Sequence, residues 1–410
     1  CDCMMINNTF GWGMPEIGAL IAPRPLLIAQ ADRDGLNQIE SVREIHAELS
    51  RLYGLLEVSD RLSYIETPGG HSYHPSSRKL INAFFMQYLM DRDVSPEEAG
   101  DIDESPDAQL SEKELQVYTE GPPQDDRTTT IQDSFIKRAG PPSLSSIGEL
   151  SAFGDSVKSY LKEYTFHAFP EEPAPFDSTL VFRTLDRAPY GSKIFSYVTE
   201  KGWRLKVDIR YNNPPEEKKP LMIVLRNPAE PRWASEDFIS GLSDDWNIAY
   251  VSLRGVGGVG WLPDLQWHVR RASAWTGRTV ASMQVYDLLR TLEFCRILQG
   301  VDPDKTGLAA RDEMGVIALY AAVMDGRCTD ILLKDPPDTQ DAPGRPDGRD
   351  PAMEMLNCLQ ITDVNQLPAL VYPSHVAFIG EMPEAYQWAI KMAEITGTGN
   401  VEVLDRLQDF

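Results

Sequence analysis

Two short segments of the 410-residue chain carry the residue types of a hydrolytic acid–base pair. Asp32 and Asp34 follow the apolar run Pro25 to Ala29 (PLLIA), and His71 closes the loop Thr67-Pro68-Gly69-Gly70-His71, one helix and one strand later. In serine-triad hydrolases of α/β type the acid sits just past one strand's carboxyl end and the histidine past the next. Both serve a serine on an earlier sharp turn. Counted from PLLIA, Asp34 takes the usual place of the acid, Asp32 is its near neighbour, and His71 takes the place of the base. The carboxylate would orient the imidazole and stabilise its protonated form while the ring takes the nucleophile's proton. The competing reading makes Asp32 and Asp34 loop carboxylates and His71 a turn residue; the strand placements favour a triad remnant. His74 reads as a solvated loop histidine. It shares H-x-x-H spacing with His71, but no third ligand is placed and no metal is expected.

The nucleophile is missing from this pattern. No G-x-S-x-G occurs in the chain, and the nearest run, Gly154-Asp155-Ser156-Val157-Lys158, lacks the second glycine. Farther on, the strand-like Thr306 to Ala310 leads through Arg311-Asp312-Glu313-Met314-Gly315 into an apolar helix, and Asp312 stands where a hydrolase carries serine. A carboxylate there could attack an alkyl carbon. A decayed site is favoured, because Ala310 and Met314 replace the small glycines of such a turn and no histidine follows the last strand, Val401 to Leu404. Glu381 holds the matching acid position with no base to orient. The glycine-rich run Arg254 to Trp261 (RGVGGVGW) is not followed directly by a helix, so it reads as a structural loop and not a dinucleotide site. Trp261, Trp267 and Trp275 beside Arg270 and Arg271 could stack on sugar, although buried aromatics are the commoner explanation.

Strands alternating with helices must position these groups. PLLIA fits a buried parallel strand, Ile39 to Tyr53 has apolar residues at helical spacing, Leu62 to Glu66 is a second strand, and Leu80 to Met90 is a closing helix. This βαβα run is part of an α/β sheet. Asp91 to about Gly148 is acidic and rich in Pro and Ser, which reads as a linker with a helical patch at Glu112 to Tyr118. Beyond it, strands are expected at 179–185, 192–198, 205–211, 221–225, 248–253, 306–310, 331–333 and 376–379, with helices at 274–298, 315–324 and 383–395. Strands first and βαβα afterwards is the order of an α/β-hydrolase domain. PRPLLIA and PSHVAFIG each precede a helix and a last short strand, a weak sign of two copies of one architecture. The expected organisation is thus the C-terminal portion of a catalytic α/β-hydrolase domain at 1–91, a linker at 92–150, and a second, degenerate hydrolase-like domain at 151–410.

Composition narrows the function classes. With 39 Lys and Arg against 62 Asp and Glu, the formal charge of −23 repels nucleic acid and anionic lipid, so neither is an expected partner. No apolar run reaches bilayer-spanning length; Ile17 to Ile28 is broken by Pro23, Arg24 and Pro25. The five cysteines are too scattered for a disulfide framework, and Cys1-Asp2-Cys3 lacks the C-x-x-C spacing of a zinc or redox site. The chain opens at Cys1 with neither an initiator methionine nor a leader pattern, which places the expected start, and the first domain's serine, upstream.

The stretches CDCMMINNTFGWGMPEIGALIAPRPLLIAQADRDG and ETPGGHSYH resemble the second half of the catalytic domain in bacterial acetylxylan-esterase-like α/β hydrolases, relatives of glucuronoyl and cephalosporin-type carbohydrate esterases. RGVGGVGW, HVRRASAWTGRTVASMQVYDLLRTLEF, ARDEMGVIALYAAV and EMLNCLQITDV resemble the second hydrolase-like domain that some members carry. The resemblance implies a cofactor-free, extracellular or periplasmic esterase that deacylates polysaccharide, with acid Asp34, base His71 and a serine supplied from upstream of Cys1 or by an upstream chain that completes the first domain. Two other functions stay open at this stage: a non-catalytic protein whose hydrolase-like domains bind carbohydrate or a partner, and a prolyl-oligopeptidase-like peptidase, since fold does not fix function.

Overall fold

A computed structural model describes residues 7–186, 188–228, 230–341 and 351–410. Cys1 and Cys3 lie outside the described residues. The chain forms two compact units, one of Trp12–Ser134 and a larger one of Cys1–Gly11 with Phe135–Phe410.

In the smaller unit a short helix, Met14–Ala19, leads into strand β1 (Leu26–Ala31), helix α1 (Ile39–Leu55), strand β2 (Leu62–Thr67) and helix α2 (Pro75–Met90). β1 and β2 pair in parallel, from Leu26 opposite Leu62 to Ala31 opposite Thr67. Helix α1 is amphipathic as its spacing requires: Leu49 and Tyr53 are buried, and the Tyr53 hydroxyl donates to the Arg24 carbonyl at 2.9 Å. Gly18 permits this packing, because a Cβ there would stand 2.7 Å from a Leu49 methyl. Pro75 opens α2 at a position whose amide has no intrahelical partner. The acidic segment after α2 folds back on it: Arg78 grips Asp101 at 2.6 Å and Glu104 at 2.9 Å, Lys79 meets Glu97 at 2.7 Å, and Asn82 donates to the Gly100 carbonyl.

The larger unit is built on a nine-stranded sheet of β3 (Thr179–Thr184), β4 (Ser192–Glu200), β5 (Trp203–Arg210), β6 (Lys219–Leu225), β7 (Asn247–Val251), β8 (Val301–Arg311), β9 (Asp330–Lys334), β10 (His375–Ile379) and β11 (Val401–Leu404). The spatial order is β3-β4-β5-β7-β6-β8-β9-β10-β11. β3, β4, β5 and β7 pair antiparallel in turn, and all later neighbours are parallel. The strands with neighbours on both sides and both faces covered read as apolar runs, such as Leu221 to Leu225, all of them buried. Every strand expected from the sequence is present, most within two residues at each end; β8 begins five residues earlier than expected.

The helices depart more. Helix α3 (Ile147–Tyr160), capped by Ser146 Oγ accepting from the Glu149 amide, begins inside the stretch read as linker. The single helix expected over 274–298 is two, α4 (Pro263–Trp275) and α5 (Val280–Arg296). The break is local chemistry. Gly277 takes a left-handed φ of +74°, where an added Cβ would meet the Asn8 and Thr9 carbonyl oxygens at 2.8 Å, and Thr279 starts α5 with Oγ1 accepting from the Ser282 amide at 3.0 Å. Helices α6 (Met314–Asp325) and α7 (Gln387–Thr396) follow; α6 is apolar nearly all round and correspondingly buried. No described helix is long and apolar enough to cross a membrane.

A buried ion network ties β4, the loop after β7 and α5 together. The Arg254 guanidinium donates to both Asp287 oxygens at 2.8 and 2.7 Å and to Glu200 at 3.1 Å; Thr199 donates to Asp287 at 2.7 Å, and Arg278 pairs with Glu200. Asp287 is fully buried. Its removal strands a buried guanidinium, so Asp287→Ala is expected to cost about 3–5 kcal/mol by urea denaturation. A loss below about 1 kcal/mol, the range of exposed pairs, would place the network in contact with solvent.

Candidate functional site

In the smaller unit, parallel pairing continues past the strand ends and brings the loops after β1 and β2 together. The Asp32 amide donates to the Thr67 carbonyl and the Arg33 amide to the Gly69 carbonyl, each at 2.9 Å, while Asp32 Oδ1 accepts from the Gly69 amide at 2.8 Å. Asp32 is therefore a clamp between the loops, and the Gly69 amide is the main cause holding its carboxyl below the usual range.

Asp34 stands two residues farther along. Its Oδ1 accepts from the Leu36 amide at 2.7 Å and the Asn37 amide at 3.3 Å; its Oδ2 accepts from Gln30 Nε2 at 2.8 Å and faces His71 Nδ1 at 2.9 Å. The side chain of Asp34 is 5% exposed and that of His71 59%. Four donors on one carboxylate, His71 and the Leu36 amide foremost, drive its carboxyl far below the ordinary aspartate value. With Nδ1–H donated to Asp34, the imidazole keeps its lone pair on Nε2, as a general base requires. His74 is occupied otherwise: its Nε2–H donates to the Gly70 carbonyl at 3.1 Å. Among the described residues no cluster of three metal-ligating side chains occurs. Gln30, on β1 four residues before Asp34, is the member that motif reading missed; its signal was a polar side chain late in an apolar strand.

In the larger unit the loops that follow the parallel strands carry carboxylates of their own. The elbow after β8 holds Asp312 at φ +50°, its amide donating to the Lys334 carbonyl at 3.1 Å, with Gly315 N to Asp312 O at 2.9 Å closing the turn into α6. Across the rim, Asn227 at the end of β6 donates Nδ2–H to Asp312 Oδ2 at 2.7 Å. Partial burial raises the Asp312 carboxyl above its usual value, with Arg311 opposing and Asp335 adding to the rise. Glu381 lies beyond β10 and is exposed, and the turn after β11 carries Asp405 and Arg406 but no histidine. His375 opens β10 at the opposite rim, paired with Glu402 at 2.8 Å and Asp330 at 3.5 Å. The glycine-rich loop is a single tight turn at Gly257–Val259, and α4 starts only at Pro263. The tryptophans are half-buried; Arg271 covers the Trp267 face at 4.1 Å, and Trp261 Nε1 donates to Gln266.

No family model matches the chain, and no curated protein does. Solved structures do. A Bacteroides fragilis protein assigned as an acetyl xylan esterase is similar at a TM-score of 0.53 and 11% identity, over 65% of this chain and 77% of the other. The chain has the α/β-hydrolase fold. A glucuronoyl esterase from Solibacter usitatus (TM-score 0.45, 10% identity, 65% and 87% covered) and an acetyl xylan esterase from Paenibacillus sp. R4 (0.41, 14%, 64% and 89%) are also similar. A match over 65% of the chain is more than twice the length of the smaller unit, so most of the hydrolase likeness falls in the larger one.

The depressed Asp34 carboxyl has a checkable consequence. A folded value below the unfolded one means stabilisation that is present above the unfolded aspartate pKa of about 3.9 and is lost as pH falls through the folded value. In a carbon-detected NMR titration the Asp34 carboxyl shift should stay flat down to about pH 3, where unstructured aspartates are already mostly protonated. An ordinary titration midpoint would break the assigned hydrogen bonds. Gly69 has φ +145° and a Cβ there would stand 2.2 Å from His74 Nε2, so Gly69→Ala should displace the His74 ring, seen as a changed His74 side-chain resonance.

Proposed function

We propose that the smaller unit supplies the acid and base of a serine carboxylesterase that deacylates polysaccharide, with Asp34 as acid, His71 as base and the nucleophilic serine on polypeptide upstream of Cys1. The observation that carries this reading is the contact of His71 Nδ1 with Asp34 Oδ2 at 2.9 Å, on a carboxylate already immobilised by two backbone amides and Gln30. Likeness in fold to a protein assigned as an acetyl xylan esterase, which falls mostly in the larger unit, supports the reaction class and not the choice of these two residues.

In this reading His71 Nε2 takes the serine proton as Oγ attacks the acyl carbonyl, and Asp34 stabilises the imidazolium. The tetrahedral intermediate collapses, the sugar hydroxyl leaves with the proton from His71, and water, deprotonated by the same ring, releases the carboxylic acid. The substrate class is an acylated polysaccharide or oligosaccharide of the kind that the similar esterases are named for, and such a polymer places the enzyme outside the cytoplasm. For the larger unit a binding role is the better reading, because Asp312 is held by Asn227 and among the described residues no histidine hydrogen-bonds it.

The test uses the protein extended upstream to include a G-x-S-x-G turn. A fluorophosphonate probe should add once, on that serine, and not to the 410-residue chain alone. Acetylated xylan should be turned over by the extended protein, with Asp34→Asn lowering kcat about 10⁴-fold and His71→Ala at least as much. Full turnover by the His71→Ala protein would overturn the assignment.

A further inference from the structure

The loop that carries His71 runs from Pro68 to His74, between the end of β2 and the start of α2, and its two ends are held by different means. At the first end Gly69 is held through both of its backbone groups, the amide on Asp32 Oδ1 and the carbonyl on the Arg33 amide. At the other end the first turn of α2 takes the His74 carbonyl, through Ser77 Oγ and the Arg78 amide, each at 2.9 Å. One residue nearer His71, the Tyr73 carbonyl accepts from Arg78 Nη1 at 2.6 Å. Between these holds two side chains tie the loop, His74 on the Gly70 carbonyl and His71 on Asp34. Burial does little for the base itself: the His71 side chain is 59% exposed against 5% for Asp34, so the loop backbone decides where the ring stands.

Arg78 reaches back to this loop from a guanidinium that is gripped on its far side. Nε and Nη2 form a two-point fork on Asp101 Oδ1 and Oδ2, at 2.6 and 2.8 Å, and Nη2 also donates to Glu104 at 2.9 Å. The Arg78 and Asp101 side chains are 14% and 21% exposed, which shields the fork from solvent more than an ordinary surface pair. Asp101 is set in turn by its own Oδ1, which accepts from the Ile102 amide at 2.9 Å, and by Asn82 of α2, which donates to the preceding Gly100 carbonyl at 3.1 Å. A bidentate carboxylate fixes the plane of a guanidinium, and only a planar fork serves Asp101 and the Tyr73 carbonyl together. An ammonium in its place has the charge without the geometry.

We propose that Arg78 and Asp101 are positioning residues for the base: Asp101 sets the Arg78 guanidinium, Arg78 holds the Tyr73 carbonyl, and the loop so held keeps His71 Nδ1 on Asp34. Residues 96–104, part of the stretch whose composition reads as a linker, are by this account a brace of the site. Neither Arg78 nor Asp101 hydrogen-bonds His71 or Asp34, so both act through the loop. The catalytic consequence rests on the esterase reading, and the consequence for the His71 ring does not.

Nitrogen-15 imidazole shifts of the 410-residue chain, at about pH 9 where the ring is neutral, test the brace with no nucleophile present. In the parent His71 should be the Nδ1–H tautomer. Arg78→Lys, which keeps the charge and loses the fork, and Asp101→Asn, which replaces one oxygen by an amide nitrogen, should each move the ring toward the Nε2–H form that a free imidazole favours. Lys79→Gln is the control, because the Lys79–Glu97 pair ties the same segment to the same helix without touching the loop, and it should leave the His71 signals as in the parent. In the protein extended upstream, Arg78→Lys and Asp101→Asn should lower kcat about 10- to 100-fold at unchanged KM, with Lys79→Gln at the parent value. A lowered melting temperature with the parent tautomer retained makes the pair merely structural and overturns the proposal. So does an equal effect of Lys79→Gln. An extended protein without esterase activity overturns the esterase reading and leaves the imidazole result to decide the brace; should Arg78→Lys not fold, Asp101→Asn decides it alone.

Discussion

Parallel pairing is the constraint that decides which side chains meet in both units. A parallel strand must return to its start before the next can be laid down, so every strand's carboxyl end, and every loop that follows one, gathers on one rim. In the smaller unit the pairing of Ala31 with Thr67 and the two amide–carbonyl bonds beyond it leave Asp34 and His71 no choice but to meet. In the larger unit the same rule sets Asn227, at the end of β6, against Asp312, at the end of β8. Side chains far apart in sequence are thus brought within hydrogen-bond reach by backbone bonds alone.

What each rim can do then depends on how its carboxylate is solvated by the protein. Asp34 receives two backbone amides, an amide side chain and an imidazole, and stays ionised well into acid. Asp312 receives one asparagine and sits near Asp335 and Glu230, and its carboxyl moves the other way. Two aspartates after equivalent kinds of strand end up with opposite electrostatics, and only the first faces a histidine. The larger unit has a left-handed turn at Asp312, a glycine-rich turn and a nine-stranded sheet, which are properties of packing, and among the described residues no histidine hydrogen-bonds Asp312.

The parts of this arrangement that were legible from sequence are those set by local pattern. The buried strands of the large sheet announce themselves as apolar runs; β1, expected as a buried strand, is only half-buried except at Ala31, and Asp34 and His71 stand out because each follows a short strand on a glycine-containing loop. The helices were harder. The apolar stripe runs on across Gly277, and only the left-handed turn and the Thr279 cap, which are matters of backbone angle, divide α4 from α5. Helix α3 was hidden by the serine and proline that precede it, although that same Ser146 is its cap. Gln30 shows in the sequence only as a polar side chain late in an apolar strand and Asn227 not at all, because an amide side chain becomes part of a site only through the oxygen it meets. Asp32 shows the converse: it has the right type beside the right place, and its carboxylate is spent on the Gly69 amide.

β3 has one more property. Among the described residues it is the outermost strand of the large sheet, paired only with β4, and its residues Leu180, Val181 and Phe182 are each about half exposed. An unpaired strand edge with three successive apolar side chains is a template on which another chain can add a strand. What separates two such edges in dilute solution is the mutual repulsion of molecules that each carry a formal charge of −23, and that repulsion reaches only about 10 Å at 0.1 M salt. The protein's colloidal behaviour is thereby coupled to ionic strength and to pH near its acidic isoelectric point, where the charge vanishes and the edge remains.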